Sequence, residues 1–202
     1  YENIGVAFEF PNLYLRFTAL ENLKFFSSLY SSKTIEPKKL LSDVGLIDDI
    51  NTRVSNFSKG MKMRLNFCRS LLNNPKILFL DEPTSGLDPT NARNIKNIIL
   101  NEKEKGTTIF LTTHNMNVAE DLCDRVAFIV DGEFVLIDNP RELKLKYGKK
   151  IIRVEYRHEN KIISEDFPFD NIGQNDTFKR ILNEKTIETI HSQEASLEDI
   201  FI

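Results

Sequence analysis

The sequence predicts an α/β fold: a mostly parallel sheet with an inserted helical subdomain and a small C-terminal α/β appendage. Three observations predict it. Ile77-Leu78-Phe79-Leu80 and Thr107–Thr112 are short, nearly continuous apolar runs, the pattern of parallel strands covered on both faces. Helix-period segments alternate with them, as strand–helix–strand units require. After Gly148 the texture changes to short alternating strands, which sets a separate appendage over 148–202.

The elements follow in order. Thr18 to Tyr30 reads as a helix, with a capping-box spacing from Thr18 to Glu21 and with Leu20, Leu23, Phe26 and Tyr30 on one face. A short helix starts near Glu36, with Pro37 in its first turn and Gly45 as its stop. Ser58 precedes a longer helix that places Met61, Leu65, Cys68 and Leu72 on one side and closes at Asn73-Asn74-Pro75. Asp88-Pro89 opens the next, with Ala92, Ile95, Ile98 and Ile99 inward and Gly106 at its end. Then come the Thr107–Thr112 strand, a helix from about Asn117 to Cys123, and a hairpin of Val126–Val130 and Phe134–Ile137 about an Asp131-Gly132 turn. In the appendage, Ile151–Tyr156 and Lys161–Phe167 form a second hairpin about His158-Glu159-Asn160. A helix near Asp176–Asn183, a strand near Ile187–His191 and a helix at Leu197–Ile202 complete it.

Composition excludes several classes. The 202 residues are 41% hydrophobic and 28% charged, ordinary for a globular chain, and the formal net charge of -3 exerts no pull toward nucleic acid. Cys68 and Cys123 sit in helix-like apolar patterns and read as buried free thiols of a reducing compartment. No apolar run approaches the roughly 18 residues of a membrane span, and no basic-then-apolar leader opens the chain. The chain starts at Tyr1 with residues that read as mid-domain, so a fragment is expected.

Chemistry enters at Leu78–Asp88, LFLDEPTSGLD, where an apolar strand ends in adjacent acids, Asp81 and Glu82. Ligands of open α/β sheets collect beyond the carboxyl ends of the strands, and His114 also stands at such an end. One acid there can hold a hard cation opposite nucleotide phosphates, and its neighbour can orient or deprotonate a water. Strand alternation sends the two side chains to opposite sides. Ser58-Lys59-Gly60-Met61 opens a helix whose free N–H groups suit an anion, although an ordinary N-cap serine would look the same.

Taken together, FSKGM before a helix, ILFLDEPTSGLD and TIFLTTH, in this order and at these distances, resemble the nucleotide-binding domain of ABC-type ATPases from about Ile4 to Ile137. Ser58, Lys59, Gly60 and Met61 match the signature motif, usually LSGGQ. Asp81 and Glu82 match the Walker B aspartate and catalytic glutamate, Ser85 to Asp88 the D-loop, and His114 the switch histidine. Gly5-Val6-Ala7-Phe8-Glu9 falls at the Q-loop, with Glu9 in the glutamine's place. The resemblance implies a P-loop NTPase-like fold, a partial nucleotide-binding domain over 1–147, a helical subdomain over about 12–75 and a Walker B to H-loop core over about 76–137. It implies ATP and Mg²⁺ as ligands. Asp81, with Glu9 beside it, would hold the metal, Glu82 would be the general base, and His114 would contact the γ-phosphate. Ser58, Lys59, Gly60 and Met61 would meet ATP held by a second nucleotide-binding domain, and Asp88 would lie at that dimer interface while capping its own helix.

The phosphate loop G-x-x-x-x-G-K-[S/T] is absent from these residues. The glycines stand at 5, 45, 60, 86, 106, 132, 148 and 173, and no pair has its spacing. The expectation is that the loop lies upstream, and that this chain by itself binds ATP poorly and hydrolyses it negligibly. Two departures from the family pattern stand out. Glu9 adds charge near the metal, and FSKGMKMRL is similar to the YSKGMKQRL form of exporter-type members. The segment Glu9 to Ser58 suits a transporter-type helical subdomain and is too short for a long coiled coil. Its Phe10, Leu13, Tyr14, Phe17, Phe25 and Phe26 offer an aromatic surface to a transmembrane permease subunit. The ending Ser196–Phe201, SLEDIF, is similar to that of drug- and antibiotic-export ATP-binding subunits, and an amphipathic terminal helix explains it equally. The implied function is ATP hydrolysis that powers a separate permease, by a subunit peripheral on the cytoplasmic face of the membrane. A basic run from Arg141 to Arg153, including Lys144, Lys146, Lys149 and Lys150, reads as a solvated face or a lipid neighbour. Two alternatives are a tandem ATPase of the ribosome, which would carry a second signature and a charged linker, and a non-hydrolysing regulatory domain, against which Glu82 and His114 argue.

Overall fold

A parallel sheet of three strands, β1 (Ile4–Ala7), β2 (Ile77–Asp81) and β3 (Thr108–Thr112), carries the first of two compact units in the computed structural model. The structure describes residues 2–148, 150–159, 161–193 and 195–201. Tyr1, Lys149 of the basic run, Asn160 of the second hairpin turn and Ile202 of the terminal helix lie outside the described residues. The first unit runs to Leu122 and the second starts at Cys123.

In the first unit β2 is central, pairing Ile4 to Ile77 through Ala7 to Leu80 on one side and Ile77 to Thr108 through Asp81 to Thr112 on the other. Helices α1 (Ala19–Ser27), α2 (Pro37–Asp43) and α3 (Lys59–Leu71) fill the segment between β1 and β2, α4 (Pro89–Glu104) joins β2 to β3, and α5 (Met116–Leu122) closes the unit. The Thr18–Glu21 capping box forms: Thr18 Oγ1 accepts from the Glu21 N–H at 3.2 Å, and Glu21 Oε2 accepts from the Thr18 N–H at 2.8 Å. The helix ends at Ser27 rather than near Tyr30, at a Ser27-Ser28 pair whose residues favour turns over helix interiors. Its buried face is Ala19, Asn22 and Leu23, and Asn22 is used to bind the Tyr14 carbonyl at 3.0 Å. Gly45, at φ +67, ends the α2 segment as expected.

Helix α3 sets the geometry of everything near it. Leu65, Phe67, Cys68, Leu71 and Leu72 are buried, each such apolar side chain contributing about 1.5–3 kcal/mol. It lies so close to β1 that a side chain at Gly5 would meet the Ser70 carbonyl oxygen at 2.0 Å. A polar row on the same face finishes the contact. Asn66 Nδ2 donates to the Phe8 carbonyl at 2.8 Å, Arg69 Nη1 to the Asn12 carbonyl at 2.8 Å, and Asn73 Nδ2, just past the helix, to the Ile4 carbonyl at 2.9 Å. Each bond contributes about 1 kcal/mol net, and together they fix the path of the chain as it leaves β1.

The sheet departs from the expectation of two covered faces. Leu78 and Leu80 are buried, whereas Phe79 is 41% and Phe110 58% exposed, their rings stacked at 5.3 Å on the opposite face. The apolar run in β2 therefore reflects two apolar faces, of which the described residues cover one. Strand β1 went unread in the sequence because a glycine and an alanine leave it little apolar signal.

In the second unit β4 (Val126–Val130) and β5 (Glu133–Asp138) make the expected hairpin, with Asp131 and Gly132 both at positive φ as a two-residue turn of this type needs. Helix α6 (Pro140–Tyr147), unread in the sequence, is capped by Asn139 and led by Pro140. Strands β6 (Ile151–His158), β7 (Lys161–Pro168) and β8 (Thr186–Gln193) form an antiparallel sheet in the order β7-β6-β8. Helix α7 (Asp176–Glu184) packs Ile181 and Phe178 against Val154, Tyr156 and Phe167. Arg153 of the basic run is paired in the sheet, its guanidinium meeting Asp166 at 2.7 Å through two nitrogens. Helix α8 (Leu197–Phe201) carries the SLEDIF segment, and a local cap explains much of it. Ser196 Oγ accepts from the Asp199 N–H at 3.1 Å, Asp199 accepts from Ser196, Leu197 is buried, and Phe201 stacks on Phe128.

Candidate functional site

The carboxyl ends of β2 and β3 bring the acids and the imidazole together. The register that pairs Asp81 with Thr112 places Thr113 and His114 beside Glu82. Thr112 Oγ1 donates to Asp81 Oδ1 at 2.6 Å, and Thr113 Oγ1 donates to Glu82 Oε2 at 3.0 Å. Glu82 Oε1 accepts from the His114 N–H at 2.6 Å and lies 2.8 Å from His114 Nδ1. Consecutive threonines thus serve consecutive acids, because both strands alternate their side chains in step. Glu82 sits at φ +47, a left-handed conformation that costs a glutamate on the order of 1 kcal/mol or more. Its own N–H still bonds the Thr112 carbonyl at 3.0 Å, so the turn is held by the ladder it ends.

Charge and access differ sharply across this cluster. The Glu82 side chain is 13% exposed and that of His114 85%. An ionised Glu82 accepts from Nδ1–H, leaving Nε2 of His114 toward solvent. A protonated His114 would then offer Nε2–H to an anion while Glu82 holds its other nitrogen. Among the described residues, Asp81 Oδ2 has no protein donor, so one carboxylate oxygen stays open to a cation or its water. No three His, Cys, Asp or Glu side chains cluster as a metal cage among the described residues. The open Asp81 oxygen is the type of donor that Mg²⁺ takes, alongside waters and phosphate oxygens. Glu9 stands two residues past β1, whose last pair is Ala7 with Leu80, and therefore on the same rim.

Ser58 caps α3, its Oγ accepting from the Met61 N–H at 3.2 Å and its own hydrogen remaining to donate. Lys59, Gly60 and Met61 form the first turn. Gly60 lies against the Gly86 carbonyl and the Leu87 side chain, both at 3.4 Å from where a Cβ would stand, and the Lys59 stem crosses Gly86 at 3.2 Å from its missing Cβ. Gly86 is thus favoured by its backbone, at φ +69, and a Cβ there would push the Lys59 stem aside. The signature turn and the D-loop are packed on each other. Asp88 caps α4, accepting from the Thr90 and Asn91 N–H groups at 3.1 and 3.0 Å and from Asn91 Nδ2 at 2.5 Å.

The Asn91 side chain, with the backbone donors, holds the Asp88 carboxyl below its ordinary range. A lowered folded-state pKa contributes stability that is complete above the unfolded value of about 3.9 and is lost as pH falls through the folded value. Asp88→Asn should therefore remove part of the acid dependence of unfolding below about pH 4 and leave neutral-pH stability nearly intact. Urea midpoints measured across that window test it, and an unchanged acid slope contradicts the assignment.

Asp81, Glu82, His114, the Ser58 turn and Asp88 stand out in the sequence, whereas the threonines, Asn66, Asn91 and the close approach at Gly5 do not. The threonines were visible only as part of TIFLTTH, where a hydroxyl beside a strand end has no pattern of its own.

The ends of β2 and β3 thus join an acid pair with one open carboxylate oxygen to an imidazole, groups suited to nucleotide hydrolysis, and the similarity to known proteins gives the class as that of ATP-binding cassettes. A profile described as "ABC transporter" matches residues 1–85, and one described as "Fluoroquinolone efflux ABC transporter C-terminal domain" matches 150–194. A fluoroquinolones export ATP-binding protein of Mycobacterium tuberculosis is 54% identical over 203 aligned positions, covering 100% of this chain and 67% of its own length. A lantibiotic transport ATP-binding protein of Streptococcus pyogenes is 41% identical over 154 positions, 74% of this chain and 66% of that protein. Among solved structures, the dimeric post-hydrolysis state of the ATP-binding cassette MJ0796 bound to ADP and Pi superposes with a TM-score of 0.62 at 28% identity, covering 68% of this chain and 62% of that one. The chain belongs to the ATP-binding proteins of ABC transporters. Members of this family hydrolyse ATP and work with a second such domain and a permease.

Proposed function

We propose that this chain carries the hydrolytic acids and the signature helix of a drug-export ATPase. Residues 1–147 are its nucleotide-binding part and 148–202 an export-branch extension. One observation carries the catalytic reading: Glu82 is fixed at the strand rim by the β3 end, beside an Asp81 with a free oxygen. Glu82 takes the proton of the attacking water, and His114 Nε2 meets the γ-phosphate. Asp81, with Glu9 nearby, holds Mg²⁺, which when bound neutralises phosphate charge. Ser58, Lys59, Gly60 and Met61 present the helix terminus to ATP held by a second domain, with Asp88 at the same interface. The identity to a fluoroquinolone exporter and the profile over 150–194 support antibiotics of that kind as cargo.

No helix among the described residues is long and apolar enough to cross a membrane. The family's pairing with a permease supports a peripheral position on the inner face of the membrane. Phe10, 80% exposed, and the stacked Tyr14–Phe17 pair offer apolar surface for that contact, while Phe25 and Phe26 lie with ring centroids 4.8 and 5.8 Å from Tyr14. Expressed at full length with its permease in a drug-sensitive host, the protein should lower fluoroquinolone accumulation, and Asp81→Asn should abolish the effect. Equal accumulation with and without the protein overturns the cargo assignment.

A further inference from the structure

Thr113 stands between the strand end and the helix that follows, and its hydroxyl is oriented. The Asn115 N–H donates to Thr113 Oγ1 at 3.0 Å, so one lone pair is occupied and the single hydroxyl hydrogen is left to go to Glu82 Oε2 at 3.0 Å. Asn115 is itself fixed, because its Oδ1 caps α5 by accepting from the Asn117 N–H at 3.1 Å and the Val118 N–H at 3.3 Å. The other oxygen of Glu82 is held by His114 through backbone and ring. Each carboxylate oxygen therefore has its own anchor, and both anchors follow directly on β3.

We propose that Thr113 is a positioning residue for hydrolysis, its hydroxyl fixing the plane of the Glu82 carboxylate so that the proton-accepting oxygen faces the attacking water. This rests on Glu82 being the base. Two anchors define a plane where one defines only a pivot. With Thr113 replaced by an isosteric apolar residue, Oε1 stays on His114 and the carboxylate is free to turn about its last bond. A general base must lie within hydrogen-bond reach of the proton it takes, and misplacement by about 1 Å costs about 100-fold. Binding of ATP draws on other groups, so the loss falls on kcat. His114 cannot compensate, since both of its contacts go to the same oxygen.

The test compares Thr113→Val, Thr113→Ser and Glu82→Gln in the full-length protein assembled with its permease. Thr113→Val should lower kcat about 10- to 100-fold with KM for ATP nearly unchanged, and Thr113→Ser, which keeps the hydroxyl, should restore most of it. A crystal structure of nucleotide-free Thr113→Val should show Oε2 swung away while Oε1 remains on His114. The positioning role is overturned if Thr113→Val keeps the wild-type kcat, if the loss falls on KM, if Thr113→Ser is equally impaired, or if the carboxylate does not move. A Glu82→Gln protein with wild-type hydrolysis would instead remove the base assignment itself. Inactive Glu82→Gln beside a fully active Thr113→Val leaves that assignment standing and ends only the role of the threonine.

Discussion

Glu82→Gln should lower kcat for ATP hydrolysis by about 10²- to 10⁴-fold, the range that a positioned general base supplies. The substitution keeps the length and planarity of the side chain, so its single oxygen can still take one of the two anchors, Thr113 or His114. An amide, however, has no basic oxygen able to take a proton from water, and its NH₂ group meets a donor where the second carboxylate oxygen accepted a hydrogen bond. ATP affinity should change little, because neither Asp81 nor the α3 terminus depends on the Glu82 charge for its place. Phosphate release and nucleotide binding measured side by side separate the two effects. Equal hydrolysis rates would remove Glu82 from the chemistry and leave His114 as a strand-end histidine.

Gly5→Ala should be the most damaging single methyl in the first unit. The new Cβ would lie 2.0 Å from the Ser70 carbonyl oxygen, 2.9 Å from Leu78 Cδ1 and 3.0 Å from Pro75 Cγ. The leucine tip can yield by a rotamer change, but a helix carbonyl cannot. Helix α3 must then lift from β1, and the bonds from Asn66 to Phe8 and from Asn73 to Ile4 stretch with it. Overpacking costs about 1–3 kcal/mol even where side chains absorb it, and here backbone meets side chain, so the upper end is expected. At about 2–4 °C per kcal/mol for a chain of this size, Tm should fall by several degrees, and hydrolysis should fall with it because the helix that moves carries Ser58 and Gly60. An unchanged Tm would mean that β1 and α3 are not in fixed contact.

Much of this arrangement was legible in the residues. Capped helices declared themselves through Thr18-to-Glu21, Ser58 and Asp88-Pro89, each a side chain whose oxygen meets free N–H groups in the structure. The acids and His114 were legible because charge at the end of an apolar run is costly unless used. What escaped reading depended on three-dimensional neighbours. Strand β1 is short and holds a glycine whose purpose, room for Ser70, exists only after α3 has docked. Asn66 follows no pattern in the sequence and is buried on the Phe8 carbonyl. Helix α6 was hidden by its lysines, although Asn139-Pro140 marked its start.

The central claim is that Asp81, Glu82 and His114 of one subunit form a site with the Ser58 turn of another. Mixed dimers test it most directly. One subunit carries Ser58→Arg, which blocks the signature turn, and the other carries Glu82→Gln. Each variant alone should be inactive, while the mixture should recover ATP hydrolysis, since one of its two sites combines an intact Glu82 with an intact Ser58. A mixture as inactive as its parents would place all of these residues in a single subunit's site and contradict the account.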